Sequence, residues 1–202
     1  MRTLLTLLSI SMLFTFSAIA QTDKEVGKFG FGIKGGLFYG STILLNNTNV
    51  SEIGLPSYTF GIFGDVALKN NFGIQTGLNF TRLAFKGSSN YTSDWNEHLN
   101  YIYLPILVKY TIQKTGFSIL GGLEIGSLQT AKYTQDSKEY DDMSSYKKID
   151  FGPIFGIDYH FKSGIELAMR KTLGVLNIAK NSPDKTIELP SGTYVTIGYR
   201  FK

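Results

Sequence analysis

The chain of 202 residues lacks cysteine, which excludes disulfide scaffolds, thiol chemistry and cysteine-ligated zinc. Charge is also scarce, because only 18% of the residues are charged against roughly 25% in a soluble domain. The 20 basic and 16 acidic residues are nearly balanced and scattered, whereas a nucleic-acid-binding protein clusters its basic residues on one face. Glycine and aromatic residues are abundant instead, with 22 glycines and 14% aromatics.

The N-terminus has the pattern of a signal peptide. Arg2 precedes an apolar run over residues 4–16, and Ala18-Ile19-Ala20 forms a small-x-small cleavage site. An uncleaved membrane anchor is the alternative, but the run is shorter than the roughly 20 residues that a spanning helix needs. We predict cleavage after Ala20, a short lead over residues 21–28 and one domain over residues 29–202.

From residue 29 onward the apolar residues recur with a period of two, which is typical of strands. In the first stretch Phe29, Phe31 and Ile33 share one face, and Gly30, Gly32 and Lys34 share the other. Eight stretches alternate in this way: 29–39, 58–68, 72–81, 101–112, 117–126, 150–161, 165–170 and 195–201. No stretch after the signal peptide carries a long helical pattern.

The connections between these stretches alternate in length. Short polar turns cover residues 69–71, 113–116 and 162–164, and long polar loops cover residues 41–56, 87–100, 130–148 and 179–190. The pattern predicts an all-β fold, an eight-stranded antiparallel up-and-down transmembrane β-barrel. The sheet has to close because lipid offers no partner to an open strand edge. Both termini then lie at the periplasmic end, with the short turns.

One face of each stretch is almost purely apolar, and the charges lie on the other. Aromatic residues gather next to the short turns, as in an interfacial girdle: Phe29, Phe72, Tyr110, Phe117, Tyr159, Phe161, Tyr199 and Phe201. A lipocalin-like soluble barrel with its apolar face inward is the alternative, since the pattern alone does not show which face is inside.

With the apolar face in lipid, eight charged residues face the lumen: Lys34, Asp65, Lys109, Glu124, Asp158, Glu166, Arg170 and Arg200. Their charges sum to zero. Eight strands enclose a lumen just wide enough for side chains, and buried charges must be paired. We predict a structural network that plugs the barrel, with Lys109 as the partner of Glu124. An ion-conducting pore or a binding cavity is the alternative.

The long loops carry further candidate residues. Tyr91, Trp95, Tyr133, Tyr140 and Tyr146 could contact a partner or lie at the membrane surface. An acidic run, Asp136, Glu139, Asp141 and Asp142, could bind cations or cation-bridged lipopolysaccharide, although its spacing is not a calcium-loop motif.

Enzymatic and metal sites have little support in the sequence. His98 lies near Ser88, Ser89 and Ser93, the residue types of a barrel-embedded lipid-modifying enzyme, but no motif accompanies them. His98 and His160 should lie at opposite ends of the barrel, so they cannot share a metal ion. We assign no catalytic, cofactor-binding or metal-binding residue.

Four segments carry a family resemblance: residues 100–110, 72–78, 170–178 and 198–201. They resemble the strands of the Bacteroidetes-type outer-membrane β-barrel proteins, the PorT-like and OmpX-like porin family. The sequence departs from that pattern at Tyr103, where an acidic residue is usual, and at Lys202, which follows the expected final aromatic.

The resemblance implies an outer-membrane location far more than an activity. It implies a monomer in contact with outer-membrane lipid and lipopolysaccharide, inserted by the barrel-assembly machinery through its C-terminal strand. An envelope or extracellular protein partner fits as well, and nucleic acid does not. The function predicted is a non-enzymatic barrel that displays four loops in a structural, adhesive or accessory role. A small passive channel and a lipid-modifying enzyme are the alternatives.

Overall fold

The computed structural model describes residues 27–45, 50–89, 92–136, 138–180 and 187–201. The predicted signal peptide and Tyr91 lie outside the described residues. Nine strands form: β1 (Phe29–Leu45), β2 (Val50–Ala67), β3 (Phe72–Ser89), β4 (Thr92–Thr111), β5 (Phe117–Gln135), β6 (Lys138–Asp141), β7 (Ile149–His160), β8 (Ile165–Leu173) and β9 (Ile187–Phe201). In this part of the chain no helix is long and apolar enough to cross a membrane.

Eight of the strands close into one antiparallel ring. Its order is β1, β2, β3, β4, β5, β7, β8 and β9, and β9 pairs with β1 over Phe31–Leu45. The short strand β6 stands outside the ring and pairs with the end of β5, over Lys132–Gln135. The ring confirms the predicted eight-stranded barrel.

The three short turns lie where the alternation predicts them. The first is a 3₁₀ turn, Lys69–Asn71, in which Asn70 and Asn71 have left-handed backbone angles. Gly116 has a φ of 80°, and a Cβ there would lie 2.8 Å from the carbonyl oxygen of His160. These turns define what we call the short-turn end of the barrel, and the opposite end is the long-connection end.

The strands are much longer than predicted at the long-connection end. The sequence places loops over residues 41–56 and 87–100, but β1 continues to Leu45, β3 to Ser89, and β4 begins at Thr92. β4 has 20 residues, about twice the 9–11 that cross a bilayer. The prediction of long loops is wrong in these segments because the period of two continues beyond the apolar stretch. Glu97, Leu99 and Tyr101 are buried there.

The apolar face points outward along the whole ring. Ile62, Ile106 and Ile157, for example, are each more than half exposed, whereas the intervening inward side chains are mostly buried. The predicted girdle is present on this outer face, where the rings of Phe72 and Tyr110 lie 5.1 Å apart. The lipocalin-like alternative requires the opposite orientation and is therefore wrong. We call the outward apolar surface the apolar belt.

Candidate functional site: the barrel interior

Arg170 on β8 is the centre of the charged interior. Its guanidinium is buried and donates to both carboxylate oxygens of Asp158, at 3.2 Å from Nε and 2.7 Å from Nη2. Nη2 also donates to Oε1 of Gln75 at 2.8 Å. Because Gln75 lies on β3, this one side chain links β3, β7 and β8 across the lumen. Two-pronged contacts between arginine and a carboxylate are among the strongest polar contacts in proteins.

Glu166 joins the other charges to this centre. Its carboxylate lies 3.1 Å from Nη2 of Arg200 and 3.8 Å from both Nζ of Lys109 and Nη2 of Arg170. Arg200 also pairs with Asp65. Six of the eight predicted lumen residues therefore form one connected network of three positive and three negative side chains.

Lys34 and Glu124 lie outside that network. The carboxylate of Glu124 accepts a hydrogen bond from the Thr172 hydroxyl, and its Oε2 has no hydrogen-bond partner among the described residues. The predicted pair of Lys109 and Glu124 is wrong, because β4 places Pro105 opposite Glu124. Lys109 lies four residues further along that strand, so its Cα is about 13 Å from that of Pro105.

Lys34 instead faces an aromatic ring and a small cavity. Its Nζ is 6.0 Å from the ring centre of Phe63. The cavity has a volume of about 10 Å³ and is also lined by Asn79, Arg170 and Tyr194. It is large enough for about one water molecule.

A second buried polar contact, which the sequence does not predict, joins Tyr103 and Asp150. The Tyr103 hydroxyl donates to Oδ2 of Asp150 at 2.8 Å, and the Phe151 amide donates to Oδ1 at 2.8 Å. Tyr103 stands where the family resemblance leads one to expect an acid, and the acid is supplied by β7 instead. Asp150 shares the inward face with Asp158, at a spacing of eight residues. This even spacing is the sequence signal that marks Asp150 as a lumen residue.

Apolar side chains occupy the interior towards the long-connection end. The rings of Phe38 and Tyr194 lie 4.6 Å apart, and those of Tyr101 and Tyr103 lie 5.2 Å apart. The same buried cluster continues through Leu83, Phe85, Leu99, Leu128, Ala131, Tyr146 and Ile178. We call it the aromatic layer.

Two connecting segments pack over the aromatic layer. The Lys147 amide donates to the carbonyl of Ile178 at 2.7 Å, and the Lys180 amide donates to the carbonyl of Ser145 at 2.8 Å. These bonds hold residues 145–147 beside residues 178–180, and Tyr146 forms a bridge with Ala179. At the short-turn end, in contrast, a cavity of about 260 Å³ is lined by Asp65, Lys109, His160 and Arg200 among others.

The predicted loop aromatics differ in their surroundings. Tyr140 is half exposed, and the partly buried Tyr133 donates its hydroxyl to Oε1 of Gln135 at 2.6 Å. Trp95 lies on β4 opposite Gln135. Both predictions for Tyr146, a partner contact or a place at the membrane surface, are wrong, because the residue is only 7% exposed and packs within the aromatic layer. Burial of an aromatic ring in an apolar cluster is energetically more favourable than its exposure to water.

The acidic run over residues 136–142 makes local contacts. Glu139 binds Lys132 at 2.5 Å, and Asp142 accepts from the Ser145 hydroxyl at 2.5 Å. Asp141 accepts from the Met143 amide at 3.1 Å, and Asp136 lies in the turn before β6 with a φ of 48°. The hydrogen bond from Lys132 lowers the pKa of the exposed Glu139 carboxyl.

His98 and His160 lie at opposite ends of the barrel, on β4 and β7. The side chains of Ser88, Ser89 and Ser93 lie outside the described residues. Within the described part of the chain, no three histidine, aspartate or glutamate side chains are arranged to hold a metal ion.

Two solved structures show the same architecture. The Neisserial surface protein A is 12% identical with a TM-score of 0.53, and the match covers 85% of this chain and 96% of that one. The outer membrane protein OprG from Pseudomonas aeruginosa is 12% identical with a TM-score of 0.50, and the match covers 85% and 95% of the two chains. Comparison with curated protein sequences gives no significant match.

The sequence also matches a family model, described as the outer membrane protein beta-barrel domain, over residues 19–180. That match covers most of the chain and agrees with the closed ring and its outward apolar belt. This chain therefore belongs to the outer membrane β-barrel domain family.

Proposed function

We propose that this protein is a closed, non-enzymatic outer-membrane barrel that presents its long strands and connections outside the cell, in an adhesive or partner-binding role. The aromatic layer carries the proposal, because it occupies the interior between the charged network and the long-connection end. The extended strands support the second part, since they raise about half of β4 above the apolar belt. In this orientation the short turns are periplasmic and the long-connection end is extracellular.

Finer features belong to the same proposal. The signal peptide is cleaved after Ala20, and the barrel is a monomer in contact with lipid and lipopolysaccharide, inserted through β9 by the assembly machinery. The four resembling segments support a place among the Bacteroidetes-type, PorT-like proteins. Trp95, Tyr133 and Tyr140 are the side chains proposed to meet an extracellular or envelope partner.

Conductance in planar bilayers tests the closed lumen. The wild-type barrel should give no single-channel steps, because the aromatic layer, which includes the rings of Phe38 and Tyr194, occupies its interior. Phe38→Ala combined with Tyr194→Ala removes both rings and should produce a measurable leak. Phe31→Ala combined with Phe201→Ala is the matched control, since these rings lie 5.1 Å apart on the outer wall, and it should stay silent.

Regular conductance steps from the wild-type protein would overturn the proposal. They would favour the small passive channel, for which the charged cavity of about 260 Å³ at the short-turn end is the supporting observation.

A further inference from the structure

The apolar belt ends sharply on the outer wall of β3, β4 and β5. Its last members on these strands are Phe80, Ile102 and Ile125, and the ring of Phe80 stacks on Phe60 at 5.1 Å. The next outward side chains on β3 and β4 are polar, with Arg82 following Phe80 and Asn100 preceding Ile102. The Asn100 amide donates to the Thr130 hydroxyl at 2.6 Å. The outer surface therefore changes from apolar to polar within two residues.

Three basic side chains lie near one another on this polar surface. The strand register places His98 opposite Lys132 on β5 and opposite Ala84 on β3, and Ala84 is two residues from Arg82 on the same face. Adjacent strands are about 4.8 Å apart, so directly and diagonally opposed side chains are within reach of one another. We call Arg82, His98 and Lys132 the rim cluster.

The charges of the rim cluster are only partly compensated. Glu139 on β6 binds Lys132 at 2.5 Å. Among the described residues no hydrogen bond or ion pair reaches the guanidinium of Arg82. Burial and, second to it, the nearby Arg82 lower the pKa of His98, so its imidazole is neutral at neutral pH and the positive charge of the cluster is carried by Arg82 and Lys132. The cluster thus carries more positive than negative charge.

The height of the rim cluster above the belt suggests what it meets. Two residues of strand separate Arg82 from Phe80, about 6.6 Å along the strand and about 5 Å along the membrane normal, because the strands of such barrels are tilted by roughly 35–45°. Headgroups extend roughly 5–8 Å beyond the hydrocarbon on each side of a bilayer. Arg82 is therefore level with the headgroup phosphates of the leaflet at the long-connection end.

We propose that the rim cluster binds the phosphate of a phosphorylated glycolipid headgroup in the outer leaflet, with the acyl chains lying along Phe80, Ile102 and Ile125. Arginine suits this ligand because its planar guanidinium contacts two phosphate oxygens at once. Lys132 adds a second positive charge. On binding, the phosphate replaces Glu139 as the ion-pair partner of Lys132. The proposal depends on the orientation in the membrane and not on whether the lumen conducts.

Native mass spectrometry of the folded full-length protein in detergent tests the site. The probes are bisphosphorylated lipid A, the same lipid without its phosphates, and inorganic phosphate. Arg82→Gln combined with Lys132→Gln should weaken binding of the phosphorylated lipid roughly 30-fold, since each basic residue near an anionic surface contributes about 1 kcal/mol. Lys69→Gln combined with Lys162→Gln, in exposed turns at the opposite end, removes the same charge and should change binding less than about twofold.

A variant that binds more tightly distinguishes a specific site from misfolding, because a misfolded variant can only lose binding. Glu139→Gln frees Lys132 and should tighten binding of the phosphorylated lipid several-fold. Equal binding of the lipid without phosphates, or unchanged binding by the folded Arg82/Lys132 variant, would overturn the proposal. Inorganic phosphate that competes at the same concentration as the lipid would also overturn it, because the site would then recognise the free anion. A conducting lumen, which would refute the closed barrel, leaves each of these outcomes readable.

Discussion

Glu188, near the start of β9, is a half-buried carboxyl group above the apolar belt. Its Oε2 has no hydrogen-bond partner among the described residues, although its backbone amide binds the Asn177 side chain at 3.0 Å. Burial, together with the negative charge of Asp142, raises the pKa of Glu188. The folded chain therefore holds the proton more tightly than the unfolded chain, and ionisation of Glu188 opposes folding.

Glu188→Gln should consequently stabilise the protein in a way that depends on pH. The gain should be absent below the ordinary carboxyl pKa of 4.5, grow between that value and the raised pKa of the folded chain, and stay constant above it, at about 1 kcal/mol at neutral pH. Urea titration followed by fluorescence of Trp95, the single tryptophan, measures it. Glu139→Gln is the control, because Lys132 lowers the pKa of that exposed group and no gain at neutral pH is expected. A gain that persists at pH 4 would show that charge is not its cause.

At the scale of the element, β4 combines two surfaces in one strand. Leu104 is 40% exposed on the outer face, and Leu107 is 1% exposed on the inner face. Leu104→Arg places a charge in the apolar belt and should cost about 2–4 kcal/mol near the bilayer midplane. The yield of the heat-modifiable folded form on unheated gels measures the loss. Leu104→Phe keeps the surface apolar and should assemble normally, and equal yields for both variants would place this face outside the lipid.

The sequence predicts the strand segments that contact lipid. It predicts the segments outside the lipid poorly. Lipid requires one face of each strand to be apolar, so the alternation of Ile102, Leu104 and Ile106 is visible in a single chain. Above the belt both faces meet water or protein, and the extension of β4 back to Thr92 shows no comparable contrast. Apolar patterning alone therefore predicts the membrane-crossing parts of the strands and underestimates the length of the strands.

The partners of the polar side chains inside the ring are harder to predict from the sequence, for a different reason. The face of each lumen charge follows from the period of two, but its partner depends on the register of all eight strands. Arg170 meets Gln75 from 95 positions away, and Lys109 meets Glu166 rather than Glu124 because of the stagger between β4 and β5. Tyr146 was misplaced similarly, since its burial depends on Ile178 and Ala179, which lie in another connection.

For the whole molecule, the two ends of the barrel should lie on opposite sides of the outer membrane. The chain has no cysteine, so single cysteines report position without background. Ser144 is exposed between β6 and β7, and Ser163 is exposed in the turn between β7 and β8. Ser144→Cys should react with a membrane-impermeant maleimide on intact cells, and Ser163→Cys only after permeabilisation. The reverse pattern would invert the barrel.

The pairing of the first strand with the last makes the barrel sensitive to the completeness of its chain. β1 and β9 are hydrogen-bonded from Phe31 to Leu45, and β9 is also the partner of β8. A polypeptide that stops before Ile187 leaves both β1 and β8 with open edges, which lipid cannot satisfy. Synthesis and export must therefore finish before the ring can close, and a prematurely terminated chain exposes two unpaired edges that distinguish it from a finished one.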